Sequence, residues 1–432
     1  MGSLTKKDKA ANAGLERARA IPPNTAPTTT ATVEITINGA ASGNVYLGWQ
    51  LCACSIRIAN QPQQALNVTL KNKSTAGGGQ IRFRTTYTGA AQDTLALTLP
   101  GNGTPVNFFI GGKFGSPSVD DQDNSLVAVE TASNAVLAER TFMVRVRKNS
   151  ESLTTAERDI FLNAVATLNS SAAEYQRYLD GHGDKANNEI HGRPSFLPWH
   201  RAFVLDYERR LQAIDPRVSL PYWRFDEPAP KLFSRDFMGG TIAGDGQIVN
   251  PTNPLHTYTP IIVRVPRFDT VTQAAFVMSQ KDTIESRGAD FLPFSDMEDN
   301  PHGFAHTSFT AGDRIRNVAE ATMDPLFFML HGNVDRLWAK WQKDNNRWVV
   351  TNPSTYSPQS GNRIGENAGD TMWPWNGDTT FPRPDIATGG HMPQLTFPAK
   401  PSPLITVAET IDYIGRIEAN RTHFDYDDVS FE

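Results

Sequence analysis

The pattern of apolar residues changes once along this chain, near residue 140, and that change constrains the fold more than any other feature. From residue 33 to about residue 139, short runs such as "VEITI", "CSIRI" and "ALNVTL" alternate apolar and polar positions between turns rich in Gly, Asn and Ser. Beyond residue 140 the apolar positions recur at helical spacing. The 432 residues therefore predict two domains, an all-β sandwich or barrel followed by a mainly α domain.

The chain divides into three predicted parts. Residues 1–32 end in the Pro/Thr-rich run "IPPNTAPTTTAT" and are expected to form a flexible arm. Residues 33–139 form the β-domain, and residues 140–432 form a helical domain with long loops rich in Pro, Gly and Asn.

Three segments of the second domain carry helix-start signals. Thr154 and Glu157 are spaced as a capping box. Asn300 and Asp324 each precede a proline, so both are predicted to be N-caps with the proline at the first helical position.

Charge and hydropathy exclude several classes of partner. The formal charge is +2 over residues 1–139 and −7 over residues 140–432, which argues against nucleic acid or an anionic membrane as the partner of the second domain. No run approaches the roughly 18 apolar residues of a membrane-spanning helix. The first 20 residues have no apolar core, so no signal peptide is visible and the compartment stays undecided.

The two cysteines, Cys52 and Cys54, are interpreted as reduced strand residues, with metal or redox use as the alternative.

All nine histidines lie between residues 182 and 432. His302 and His306 are four residues apart and share one helix face. His331 has Asp335 four residues later on a largely apolar helix, so a metal ligand with a supporting carboxylate and a core histidine paired to Asp335 are both open interpretations. His200 and Glu208, eight apart, repeat the pairing of imidazole and carboxylate.

Six histidines in two groups of three could hold two metal ions. No His-Glu-x-x-His sequence occurs, which argues against a zinc protease of that type. The second domain has no cysteine, so zinc fingers and iron–sulfur clusters do not fit. Imidazole ligands suit copper, zinc, iron and nickel, and spacing does not choose among these metals.

Two longer motifs resemble a known family. The stretches "HGRPSFLPWHRAFVLDYE" and "DPLFFMLHGNVD" resemble the two copper signatures of the tyrosinase, catechol oxidase and haemocyanin family of type-3 copper proteins. The resemblance covers residues 140–432, through "LPYWRFD" and "MWPW" to the closing "HFDYDD", and does not cover residues 1–139. It implies a catalytic domain built around a central four-helix bundle and a site of two copper ions with O2 as co-substrate.

The resemblance also implies roles for single residues. The family pattern makes His191 and His200 the second and third ligands of the first copper and places its first ligand upstream, where His182 is the only histidine. It also implies three ligands for the second copper, namely His302, His306 and His331. Phe327 would pack between ligands, and Asp335 and Glu208 would support the histidines from behind. Some relatives link a cysteine to the second ligand, but "NNEIHG" contains none.

Three further positions bear on the reaction. Glu298 matches the family glutamate that holds a water able to deprotonate a phenol, with a solvated loop carboxylate as the alternative. Gly303 stands where strong monophenolases often carry Asn. Val318 stands where plant catechol oxidases often place a Phe over the first copper, so it should leave the substrate site more open.

The resemblance implies a polyphenol oxidase that converts small o-diphenols to o-quinones, with some ortho-hydroxylation of monophenols. The alternatives are an o-aminophenol oxidase and an oxygen carrier of the haemocyanin kind. For the β-domain two roles are open: a stabilising or partner-binding module, or an inhibitory lid that presents Phe108 or Phe109 to the coppers.

Overall fold

The computed structural model describes residues 31–60, 64–73, 77–183, 187–241, 244–258, 270–310, 314–356, 361–390, 405–416 and 424–432. The predicted flexible arm, residues 1–32, lies outside these ranges except for residues 31 and 32. His391 and His423 also lie outside them.

Within the described residues, nine strands form the N-terminal part. Alternation of buried and partly exposed residues along β1 places Val33, Ile35 and Ile37 inward, as period-two patterning predicts. The strands are β1 Val33–Ile37, β2 Tyr46–Leu47, β3 Cys52–Ile58, β4 Leu66–Asn72, β5 Ile81–Arg84, β6 Thr94–Leu99, β7 Val106–Gly112, β8 Asn124–Glu130 and β9 Val136–Val144.

These strands make two sheets. One has the order β1-β3-β7-β5 and the other the order β2-β9-β8-β4-β6. Apolar residues of both sheets, such as Ile56 and Phe108 from the first and Val68 and Leu126 from the second, form one buried cluster. Two sheets that enclose a shared core make this part a sandwich rather than a barrel. Strand β9 runs across the predicted division between residues 139 and 140.

The remaining described chain is mainly helical. The helices are α1 Thr155–Ser170, α2 Ala172–His182, α3 Asn187–Ile190, α4 Phe196–Ile214, α5 Thr270–Ala274, α6 Gln280–Glu285, α7 Phe291–Ser295, α8 Phe304–Ser308, α9 Leu326–Asp344 and α10 Val407–Ile411. Short 3-10 turns cover Ser150–Ser152, Pro254–Thr257, Asp296–Glu298 and Ala321–Met323, and a π turn covers Asp299–Gly303. Helices α1, α2, α4 and α9 are the long ones, and buried residues of all four join one apolar cluster.

The predicted caps have mixed outcomes. Thr154 and Glu157 form the capping box of α1. Helix α9 begins one residue later than predicted, with Pro325 as its N-cap, and the Asp324 carboxylate accepts the Leu326 N–H at 3.0 Å. The prediction for Asn300 is wrong, because its side-chain oxygen accepts the Met278 N–H at 3.2 Å from a distant loop instead of capping its own helix.

The C-terminal residues 424–432 join the sandwich to the helical part. Asp425 Oδ2 accepts the Trp49 N–H at 2.8 Å, and the Trp49 indole N–H donates to Tyr426 O at 2.8 Å. A Cβ at Gly48 would lie 2.0 Å from Asp425 Oδ2, so only glycine permits this approach. The β-domain thereby holds the segment that carries Tyr426 against the helices.

Within the described ranges, no helix is both long enough and apolar enough to cross a membrane.

Candidate dinuclear metal centre

Two triads of histidines lie close together inside the helical part. One triad is His182, His191 and His200, and the other is His302, His306 and His331. Within each triad the candidate ligand nitrogens lie within 4.8 Å of one another. The structure thus groups the six histidines as the sequence predicts, whereas His256 lies in a 3-10 turn outside both groups.

Helices position five of the six rings. His182 is the last residue of α2, His200 lies in α4, and His331 lies in α9. His302 lies in the π turn that precedes α8, and His306 lies in α8 itself. His191 lies in the loop between α3 and α4.

The two triads face each other. The rings of His200 and His331 stack with centroids 4.2 Å apart and planes 11° apart. Phe327 packs edge-on against His182 at 4.6 Å and lies 4.2 Å from His331. This position between rings of both triads is the one predicted for Phe327.

Backbone carbonyls fix the orientation of four rings through Nδ1. His182 Nδ1 lies 3.0 Å from Val318 O and His200 Nδ1 lies 2.8 Å from Phe196 O. His302 and His306 have the same arrangement, at 2.6 Å each, with Glu298 O and Ile315 O. Since a carbonyl only accepts, each Nδ1 carries the proton and each Nε2 presents a lone pair.

Three of those Nε2 atoms are buried and make no hydrogen bond. They belong to His182, His200 and His302, and none has a hydrogen-bond partner among the described residues. His306 Nε2 lies 3.2 Å from His331 Nε2. Buried polar atoms without partners are costly, and a bound cation would satisfy all of them.

Burial also keeps the six imidazoles neutral. Loss of solvation lowers the pKa of His191 and of His306 to about 4. It lowers the pKa of the other four histidines well below the ordinary value, and neighbouring imidazoles lower it further. Neutral imidazole is the metal-binding form, so the triads are ready to bind metal at neutral pH.

The carboxylates predicted behind the histidines do not contact them. Asp335 accepts from Arg201 Nε, from Arg147 Nη1 at 3.1 Å and from Tyr426 OH at 2.6 Å. Glu208 accepts from Arg147 Nη2 at 2.8 Å and from the Leu220 N–H at 2.8 Å. Helical side chains tilt toward the N-terminus, so a histidine ring turns toward residue i−4 and away from residue i+4.

Arg147 and Arg201 are the charged residues of this site that the sequence reasoning missed. Both are fully buried, and Arg147 bridges Glu208 and Asp335, which lie on α4 and α9. Burial opposes the charge of Arg147, but Glu208, Tyr426 and Asp335 raise its pKa above the ordinary value. Arg147 follows a strand whose alternation predicts a solvent-facing side chain, so the sequence gave no sign of its burial. For Arg201, the position next to His200 in the copper motif was the only sign of a role at the site.

Glu298 joins the two triads through its main chain and its side chain. Its carbonyl accepts from His302 Nδ1, while its carboxylate oxygens accept the Gly192 N–H at 2.8 and 2.9 Å, one residue after His191. Burial raises the pKa of Glu298 to about 7. The Glu298 side chain is half-buried, and its role in holding a water stays a prediction beside the alternative of a solvated loop carboxylate.

Gly303 and Val318 flank the site differently. A Cβ on Gly303 would meet only Glu298 O, at 3.6 Å, so a side chain fits there without strain. Val318 is 43% exposed, and its carbonyl orients His182, which places it beside the first triad.

Comparison with known proteins finds relatives of this chain. The family model for the common central domain of tyrosinase matches residues 170–270 and 261–344. A tyrosinase of Streptomyces antibioticus is 32% identical over 267 residues, which cover 54% of this chain and 94% of that protein. Grixazone synthase of Streptomyces griseus is 27% identical over 287 residues, which cover 52% of this chain and 93% of that protein. A solved functional unit of octopus hemocyanin superposes with a TM-score of 0.46 at 20% identity, covering 66% of this chain and 69% of that chain.

The helical core and the paired histidine triads define a class of protein in which two groups of three imidazoles could each hold a metal ion. The chain belongs to the tyrosinase family, whose members are type-3 copper proteins. It is an enzyme of the copper-dependent oxidoreductase type.

Proposed function

We propose that the two triads hold one copper ion each and that the enzyme oxidises small o-diphenols to o-quinones with O2 as co-substrate. The observation that carries this proposal is the grouping of the candidate ligand nitrogens within 4.8 Å in each triad, together with the buried Nε2 atoms of His182, His200 and His302, which have no hydrogen-bond partner among the described residues. Neutral imidazoles fit copper, and the family supplies the choice among the metals that imidazole suits.

Under this proposal His182, His191 and His200 hold the first copper, and His302, His306 and His331 hold the second. Bound copper would supply the redox chemistry with O2, while the protein fixes ligand geometry and orients the substrate ring. The Nδ1 bonds to backbone carbonyls keep four of the six imidazoles in the tautomer that presents Nε2.

We assign the handling of the phenol proton to Glu298. Its carboxylate lies against the backbone between the two triads, and its oxygens can hold a water beside an incoming hydroxyl group. The Gly192 N–H fixes the position of that carboxylate. The absence of a side chain at Gly303 leaves such a water with one fewer partner, so we propose that diphenol oxidation dominates over monophenol hydroxylation.

We propose a substrate of one small phenolic ring. The exposed Val318 beside the first triad leaves the approach to the site open. This openness favours turnover over the shielded site of an oxygen carrier.

We propose that the β-sandwich and the helical part are separate domains, with the division after the end of β9 at Val144 instead of at residue 139, and that the β-domain is a stabilising module. Phe108 is fully buried in the core of the sandwich, and Phe109 packs edge-on against Tyr87 with centroids 5.8 Å apart. Both aromatic rings of the lid hypothesis are therefore engaged within the β-domain. Trp49 and Gln50 instead bind the segment that carries Tyr426.

The test is oxygen uptake by copper-loaded protein on 4-methylcatechol, p-cresol and o-aminophenol. The proposal expects fastest uptake on the catechol and loss of uptake in His331→Gln, with activity retained in the control His256→Gln. Faster turnover of o-aminophenol would transfer the assignment to an aminophenol oxidase. Reversible O2 binding without consumption of any of these substrates would indicate an oxygen carrier.

A further inference from the structure

His191 differs from the other five triad histidines in lying outside any helical segment. Helical hydrogen bonds fix the backbone of the others, whereas a loop must be held by side chains. The chain has no cysteine beyond Cys52 and Cys54 in β3, so a covalent link to His191 is excluded. Non-covalent contacts must hold this loop.

A buried ion pair holds the start of the loop that carries His191. Glu189, two residues before His191, accepts from Arg383 Nε, and the two side chains are 3% and 7% exposed. The second carboxylate oxygen of Glu189 accepts the Trp373 N–H at 3.2 Å. Arg383 also donates to Thr371 O at 2.8 Å. Glu189 is thus tied to both ends of the segment 371–383.

The end of the loop is held from the same side. The Ser195 hydroxyl donates to Glu189 O at 2.6 Å, which closes the loop on itself. Gly365 lies against Ser195 with φ +77°, and a Cβ there would come within 2.7 Å of Ser195 Cβ. The Tyr356 hydroxyl donates to Gly365 O at 2.6 Å and keeps that close approach in place.

A buried ion pair is a poor means of adding stability. Desolvation of the two charges offsets much of their attraction, and apolar replacements are often no less stable. What such a pair provides here is a fixed geometry, because both oxygens of Glu189 are held by donors that point in set directions. Glu189 of this pair lies two residues before the one triad histidine that is outside the helical segments.

We infer that Arg383 is a positioning residue for the metal centre, which through Glu189 holds the His191 loop so that the first triad is complete. This inference rests on the proposed function of the triads as copper ligands. The ion pair of Arg383 and Glu189 would take the place that a covalent link to the second ligand has in some relatives. Arg383 lies far along the chain from the triad histidines.

The test isolates the first triad. His306→Gln should leave only the first site, so this variant is expected to bind about one copper per chain. Adding Arg383→Met to His306→Gln should weaken the remaining site about 10- to 100-fold, measured by competition with a chelator of known copper affinity. The electron paramagnetic resonance spectrum of the bound Cu(II) should change at the same time. Arg383→Lys should recover part of the affinity.

A matched control separates positioning from general stability. Arg84 of the β-domain is 13% exposed and pairs with the exposed Glu432 of the C-terminal segment, so Arg84→Met tests loss of an arginine ion pair that involves no residue of the His191 loop. It should lower the melting temperature without changing copper affinity. Ser195→Ala, which buries no unpaired charge, should weaken the first site to a smaller extent and serves if Arg383→Met fails to fold.

The outcomes are distinct. Unchanged copper affinity and spectrum in Arg383→Met, or in Ser195→Ala if only that variant folds, would overturn the inference while leaving the proposed function intact. Failure of the unaltered protein to bind two coppers would overturn the proposed function itself.

Discussion

His200 and His331, which belong to different triads, stack face to face with ring centroids 4.2 Å apart. Helices α4 and α9 bring the two rings together, and the Arg147 guanidinium behind them bonds to a carboxylate on each helix. The distance between the two histidine triads is therefore set by the packing of α4 on α9. Changes to that packing should affect both sites together.

Removal of one triad histidine should empty one site. We expect His331→Gln to lower the copper content from two to about one per chain and to abolish O2 consumption, because the remaining pair of imidazoles leaves that ion under-coordinated. Metal analysis after dialysis measures this. The control His256→Gln should retain both ions, since His256 lies outside the triads. Equal copper loss in both variants would contradict the assignment.

Removal of Asp335 should destabilise the whole helical core. Asp335→Ala leaves Arg147 and Arg201 buried without their shared partner, which should cost about 3–5 kcal/mol of unfolding free energy. Urea unfolding of the metal-free protein measures the loss. The exposed pair of Arg57 and Glu34 provides the control, and Arg57→Ala should change stability little. A small effect of Asp335→Ala would mean that the buried network is not needed.

Gly303 should control the balance between phenol and catechol reactions. The helical conformation and open surroundings of Gly303 allow Gly303→Asn without strain, and the new amide could help to hold a water near Glu298. In Gly303→Asn we expect a higher ratio of the initial rate on p-cresol to the initial rate on 4-methylcatechol than in the unaltered protein. Gly369→Asn, at an exposed glycine with open space around it, is the matched control. An unchanged ratio in Gly303→Asn would show that Gly303 does not determine the preference for catechols over phenols.

Asp425 should make stability depend on pH. Burial raises its pKa to about 8, although the Trp49 and Gln50 N–H groups and Arg147 favour the charged form. Asp425 also faces Cys52 and Tyr413. Between the ordinary carboxyl pKa of about 4 and this value the folded state binds more protons than the unfolded state, so this group's contribution to stability falls as pH rises.

Asp425→Asn removes that titration. The unfolding free energy of the variant should fall less steeply between pH 5 and pH 8 than that of the unaltered protein, as measured by urea titrations at several pH values. An identical slope in both proteins would show that Asp425 is ionised throughout this range in the folded state.

The sequence predicted the parts of this structure that local patterns encode. Alternation in β1 and the capping box of Thr154 are local, and the copper motifs supplied His191, His200 and His331. The carboxylate pairing failed, since spacing places Asp335 on the face of His331 but the tilt of helical side chains points the imidazole toward Phe327 instead.

Other contacts had no local signal. Arg383 and Glu189 are distant in sequence, and their contact depends on how the loops fold over the helices. Arg147 alternates with buried valines at the end of a strand, a pattern that predicts exposure. Its burial follows from the arrival of α4, α9 and the C-terminal segment at one place.

The most direct test of the account is the copper content and magnetic state of the oxidised protein. We predict two Cu(II) ions per chain with an electron paramagnetic resonance signal far below that expected for two isolated ions, because the facing triads place the ions close enough to couple. Two fully visible, independent Cu(II) signals, or a content of one ion or none, would contradict it.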